Sequence, residues 1–110
     1  MQQTFGSERY EKRIPMMVAV HISGHRFSSD VETTFTQDVS SRGARVSSIY
    51  RWRANETLKI ASLPGNFHAL ARVAYCRPNH EGFDVGLEFL EPHGRWVVNA
   101  PIGSGKTLKG

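Results

Sequence analysis

Two short clusters hold the residues best suited to chemistry. Asp38-Val39-Ser40-Ser41-Arg42-Gly43 gathers a carboxylate, two hydroxyls, a guanidinium and a glycine between two strand-like runs. Arg9-Tyr10-Glu11-Lys12-Arg13 places two arginines four positions apart just before an apolar run. Each has a plain reading. Asp and Ser bond nearby backbone and Gly tolerates positive φ, so the first cluster by itself reads as a turn. The second, beside Glu8 and Glu11, reads by itself as a solvated basic patch. A hairpin changes both readings, because Ile14 to Ile22 reads as a strand, Ser23-Gly24-His25 as a turn and Arg26 to Thr36 as the returning segment. An antiparallel pairing centred near Gly24 or His25 lays Asp38 about opposite Glu11 to Arg13. Guanidinium forks grip phosphates, and a carboxylate accepts hydrogen bonds from N–H groups. The chemistry is therefore non-covalent capture, in a pocket cationic on one side and carboxylate-lined on the other.

A phosphorylated guanine nucleotide fits such a pocket. Arg9-x-x-x-Arg13, followed after one hairpin by Asp38-x-Ser40-x-x-Gly43 and, late in the chain, by Val85-Gly86-Leu87-Glu88-Phe89, resembles a PilZ domain, the bacterial receptor module for cyclic di-GMP. The resemblance covers roughly residues 8 to 98. It implies an all-β fold, a six-stranded antiparallel β-barrel, with the ligand held between the arginine loop and the Asp-x-Ser-x-x-Gly turn. On that basis Arg9 and Arg13 serve the phosphates and the guanine O6 and N7 edge. Asp38 accepts guanine N–H groups, Ser40 bonds through its hydroxyl, and Gly43 lets the backbone approach. Ser41, Arg42, Arg45 and Gly86 are secondary candidates. The resemblance further implies a signalling receptor that changes conformation on binding and hands its signal to a downstream protein. Two features depart from the pattern. Glu8 and Glu11 set negative charge beside the arginines, and Pro92-His93-Gly94-Arg95-Trp96 followed by Pro101 leaves the family's C-terminal helix short or absent.

Stepping along the chain, the positioning elements are short and β-like. Residues 1–7 form a polar tail, 8–98 one domain and 99–110 a second tail, a length that suits a single modest core. Pro15 marks a strand entry or an edge, since it cannot donate to a ladder. Val31, Thr33 and Phe35 alternate and are expected to face the core, and Ala44 to Ile49 alternate again. Tyr50 to Glu56 breaks the pattern. Thr57 to Leu63 makes a strand ending at the turn Pro64-Gly65-Asn66, and Phe67, Ala69, Ala71, Val73 and Tyr75 line one face of the next. Phe83, Val85, Leu87 and Phe89 give the cleanest period-two run. Six short strands without a long helical period mean a small barrel or sandwich.

A net charge of +4 favours an anionic partner without choosing among nucleotide, nucleic acid and membrane surface. Cys76 is the single cysteine, so an intrachain disulfide is excluded, and it reads as a small core residue of a cytoplasmic protein. No apolar run precedes Ile14, and Ile14 to Ile22 is too short to cross a bilayer, so neither secretion nor membrane insertion is expected. Ala100 to Thr107 matches a loose phosphate-binding loop, but only Leu108, Lys109 and Gly110 remain for the helix that motif needs. His21 and His25 flank a turn and have no third ligand, so no metal and no cofactor is expected. No catalytic constellation is found, and the protein is not expected to be an enzyme. The rival readings are a basic β-barrel that binds single-stranded nucleic acid through Arg51, Trp52 and Arg53, and a PilZ fold used only to dock a protein.

Overall fold

Among the described residues seven strands form: β1 (Ile14–Pro15), β2 (Ala19–Ser23), β3 (Glu32–Ser40), β4 (Gly43–Ser48), β5 (Thr57–Ser62), β6 (His68–Pro78) and β7 (Phe83–His93). A computed structural model describes residues 12–98. Pairing runs β2–β3–β4–β7–β6–β5 and returns to β2, every pair antiparallel, which closes a six-stranded barrel with the two-residue β1 laid on β3. Closure gives each of the six barrel strands a partner on both sides, which leaves few edge groups exposed among the described residues. The all-β barrel expected from the sequence is the fold.

Alternation decides which side chains enter. Val20, Ile22, Val39, Val46, Ile60, Val73 and Val85 are almost wholly removed from water, joined by Leu58, Ala71 and Leu87. Each such aliphatic side chain contributes about 1.5–3 kcal/mol of burial. Two tryptophans plug the barrel's ends. Trp52 Nε1 donates to Ser48 Oγ at 3.1 Å at one end, and Trp96, packed against Phe67 and Phe89, donates to the Ser40 carbonyl at 2.8 Å at the other. Cys76 is half-buried and packs against the core. Among the described residues no α-helix follows β7: Gly94 turns the chain at φ +89° and Trp96 drops into the barrel end. Residues 99–110, including the phosphate-loop-like stretch, and residues 1–7 lie outside the described residues.

The expected first strand is broken. Three residues, Met16 to Val18, face two, Thr36 and Gln37, between the pairs Pro15↔Asp38 and Ala19↔Phe35, so the chain bulges. Buried Thr36 mends the gap, its hydroxyl donating to Met16 O at 2.6 Å and accepting from Val18 N–H at 2.9 Å. The same stretch of β3 shifts register against β4 between Thr36 and Asp38. This corrects the expected core face. Val31 and Phe35 are 60% and 50% exposed, and Thr36 is inside. Hydroxyl bonding across the bulge outweighs the alternation of Val31, Thr33 and Phe35, and only beyond it does Val39 turn inward.

Candidate functional site

Asp38 lies on the outer face of β3, opposite Pro15 on one side and Arg45 on the other. Arg13 Nε and Nη2 reach its Oδ1 at 3.0 and 2.7 Å, while Arg45 Nε and Nη2 reach Oδ2 at 3.0 and 2.8 Å. One carboxylate thus holds two guanidinium forks. It is 14% exposed beneath them, against 47% for Arg13 and 36% for Arg45. The trio keeps a net positive charge on open surface, where the ion pairs themselves are each worth no more than about 1 kcal/mol. An anion approaching it meets exposed N–H donors already aimed by their shared partner.

The expected neighbourhood of Arg13 and Asp38 is observed with a shifted register. The bulge and the longer turn place Asp38 opposite Pro15, and the long Arg13 side chain spans the difference. Asp38, Val39 and Ser40 belong to β3, and the turn proper is Ser41-Arg42, half-buried and exposed respectively, with Ser40 paired to Gly43. The hairpin is tied down by Phe89 N–H donating to Arg42 O at 2.8 Å and by Trp96 on the Ser40 carbonyl. Gly43 is needed for a reason other than positive φ, which it does not adopt. A Cβ there would stand 2.2 Å from the Leu87 carbonyl oxygen of β7. Arg9, Glu8 and Glu11 lie outside the described residues.

The outward row continues from Asp38 and Arg45 through Gly86 to Tyr75, each opposite the next. Gly86 is the seat of an aromatic ring. A Cβ on it would fall 2.2 Å from the Tyr75 ring, and the Arg77 guanidinium lies 4.4 Å over that ring's centroid. The alternation of Phe67 to Val73 predicts Tyr75 on the core face, but the register shifts between Val73 and Tyr75 and turns the ring outward onto Gly86. The available signal was a glycine at an outward strand position, which often marks where an aromatic from the neighbouring strand lies flat.

Beside this row a groove of about 530 Å³ is lined by Gln37, Ser47, Asn79 and Asp84 among others. Gln37 donates to Asp84 Oδ1 at 2.6 Å and to Ser47 Oγ at 3.0 Å, and Asn79 donates to the same Asp84 oxygen at 2.7 Å. The Gln37 hydrogen bond, followed by that of Asn79 and the nearby Arg45 and Arg77, holds the Asp84 carboxyl below its ordinary value against the opposing effect of burial. Of the described residues, Arg13, Asp38 and Arg45 come together in one cluster. Ser40 and Gly43 shape the hairpin next to it, and Gly86 is one strand further on.

Trp52 is not available as a stacking surface, being 3% exposed with its indole N–H committed to Ser48. No helix among the described residues is long and apolar enough to cross a membrane. A comparison with curated protein sequences found no match. A family model described as PilZ domain matches residues 7–95. That match spans most of the chain and agrees with the closed barrel, so the chain belongs to the PilZ family, which is in general a family of cyclic di-GMP receptor domains.

Proposed function

We propose that this protein binds cyclic di-GMP at the Arg13–Asp38–Arg45 cluster, with Arg9 as a further ligand residue, and signals occupancy to a protein partner. The observation that carries the reading is the double ion pair on Asp38. Its forks are pre-aimed and solvent-accessible, and they carry more positive than negative charge. Arg9 and Arg13 grip phosphate and the guanine edge, Asp38 accepts guanine N–H groups, Ser40, wholly buried, supports the hairpin from inside rather than meeting the ligand through its hydroxyl, and Gly43 keeps the turn close to the barrel. Both Asp38 oxygens are engaged by arginine before ligand arrives. Ligand binding therefore exchanges partners: Arg13 moves to phosphate, Asp38 turns an oxygen to the base, and Arg45 keeps the other oxygen neutralised. That exchange is the conformational signal. At the far end of the same row the Tyr75 ring lies on Gly86 with the Arg77 guanidinium over it, which brings a further cation to that face.

Isothermal titration with cyclic di-GMP, GTP and a short single-stranded oligonucleotide tests this directly. Saturable binding of cyclic di-GMP, abolished or strongly weakened in Arg13→Ala, is expected. A flat cyclic di-GMP titration would falsify the proposal and leave the protein-docking role. Oligonucleotide binding that falls steeply with salt and survives Arg13→Ala would instead favour the nucleic-acid reading, which the burial of Trp52 disfavours.

A further inference from the structure

Away from the arginine cluster, one register row crosses four strands: His21 on β2 stands opposite Ala61 on β5, Ala61 opposite His68 on β6, and His68 opposite His93 on β7. The row borders a groove of about 500 Å³. We propose that His68 and His93 form a cross-strand chelate for a divalent transition-metal ion, water filling the remaining positions.

The geometry of the pair motivates this. A metal about 2.0–2.1 Å from one nitrogen of each ring puts each ring centroid about 3.2 Å from the ion, and a tetrahedral angle then sets the centroids about 5.2 Å apart. The observed separation is 5.1 Å. The rings are tilted by 23°, closer to stacked than to convergent. Ligation therefore requires each to turn about χ2, a broad sp³–sp² torsion, with both Cα atoms staying where the ladder holds them. Both residues are exposed, so the imidazoles meet the ion without a burial cost.

Neighbouring groups fit two ligands rather than a larger cage. Among the described residues no group of three or more His, Cys, Asp or Glu side chains could hold a metal. His21 is two strand spacings, about 10 Å, from His68. Its Nδ1 is engaged with Thr33 Oγ1 at 2.9 Å. Glu91, two residues before His93, adds negative charge to the rim, and Lys59, two strands away across Leu70, offsets part of it. Imidazole pairs suit copper(II), nickel(II) and zinc(II) over magnesium or calcium, with copper tightest.

The experiment is calorimetric titration of the full chain with copper(II), nickel(II) and zinc(II) chlorides in a non-coordinating buffer. One equivalent is expected to bind in the micromolar range, and His68→Gln or His93→Gln to weaken it at least about tenfold, since a chelate becomes a single ligand. His80→Gln, in the exposed β6–β7 turn, should leave it unchanged. On the unmodified chain, substoichiometric copper(II) should broaden the His68 and His93 ring protons before those of His80. Saturation only at millimolar metal, affinity retained in either glutamine variant, or broadening led by another histidine overturns the site.

Discussion

At one end of the barrel Asp38 is shared by Arg13 and Arg45, and at the other Arg26 Nη1 meets Glu56 Oε2 while Arg53 N–H donates to Glu56 Oε1 at 2.7 Å. Both arrangements are arginine–carboxylate contacts near a plugging tryptophan, yet they differ in charge balance and exposure. Glu56 joins the Arg26 loop to the loop before β5, and the side chains of Arg26 and Glu56 are 28% and 22% exposed. His25 adds to that end by stacking on Tyr50, meeting Trp52 edge-on, and bonding through Nε2 to Arg51 O at 2.9 Å while its Nδ1 accepts the Phe27 N–H at 3.1 Å. There one arginine side chain meets one carboxylate, and the pair staples loops. At the Asp38 end a surplus guanidinium stays accessible. A carboxylate with one arginine serves the fold, and one with two exposed arginines can serve a ligand.

The largest expected effect separates the ends by function. Arg13→Ala should cost about 2–5 kcal/mol of cyclic di-GMP affinity, because phosphate and Asp38 both lose a partner. Arg26→Ala should leave that affinity unchanged and lower the melting temperature. Equal losses of affinity would erase the distinction.

Next comes the hairpin that supports the cationic end. Gly43→Val should lower stability by about 1–3 kcal/mol or more, since its Cβ would collide with the β7 backbone, and affinity should fall only along with folding. Gly86→Ala should cost less, because the obstacle is the Tyr75 ring, which can move aside. Paired denaturation midpoints measure the difference.

Asp38→Ala should reduce discrimination between cyclic di-GMP and a cyclic dinucleotide lacking guanine more than it reduces affinity for either, since the arginines remain. Competition titration reads this ratio, and an unchanged ratio removes Asp38 from base recognition.

The smallest effect belongs to the stapled end. Burial pushes the Glu56 carboxyl upward, but bonds from the Arg53 amide and Arg26 outweigh it, so the folded value lies below the ordinary 4.5. A depressed carboxyl contributes stability that is present above the unfolded value and lost as pH falls through the folded one. Glu56→Gln should therefore cost under about 1 kcal/mol at neutral pH and flatten part of the decline below 4.5. Urea midpoints across that range show it; parallel curves for both proteins would mean Glu56 contributes no pH-dependent stability.

Much of the barrel could be read from side-chain type alone. Phe67, Ala69, Ala71 and Val73 face inward as their alternation required, as do Val85 and Leu87, because burial follows a period of two wherever a strand is regular. Residues 31–36 resisted that logic. Their register depends on a bulge whose hydrogen bonds come from Thr36 and the opposite strand. The single strand read over Ile14 to Ile22 is divided for the same reason.

The site divides along the same line. Sequence by itself determined that an Asp-x-Ser-x-x-Gly segment and an arginine pair flank one hairpin, since residue identity and short spacing carry that chemistry. Tertiary structure decided that Asp38 is shared between Arg13 and Arg45, that Gly43 answers to the Leu87 carbonyl rather than to positive φ, and that Tyr75 lies on Gly86. Each of those facts joins strands distant in sequence. They follow from how the barrel closes, and closure depends on all the strand registers at once.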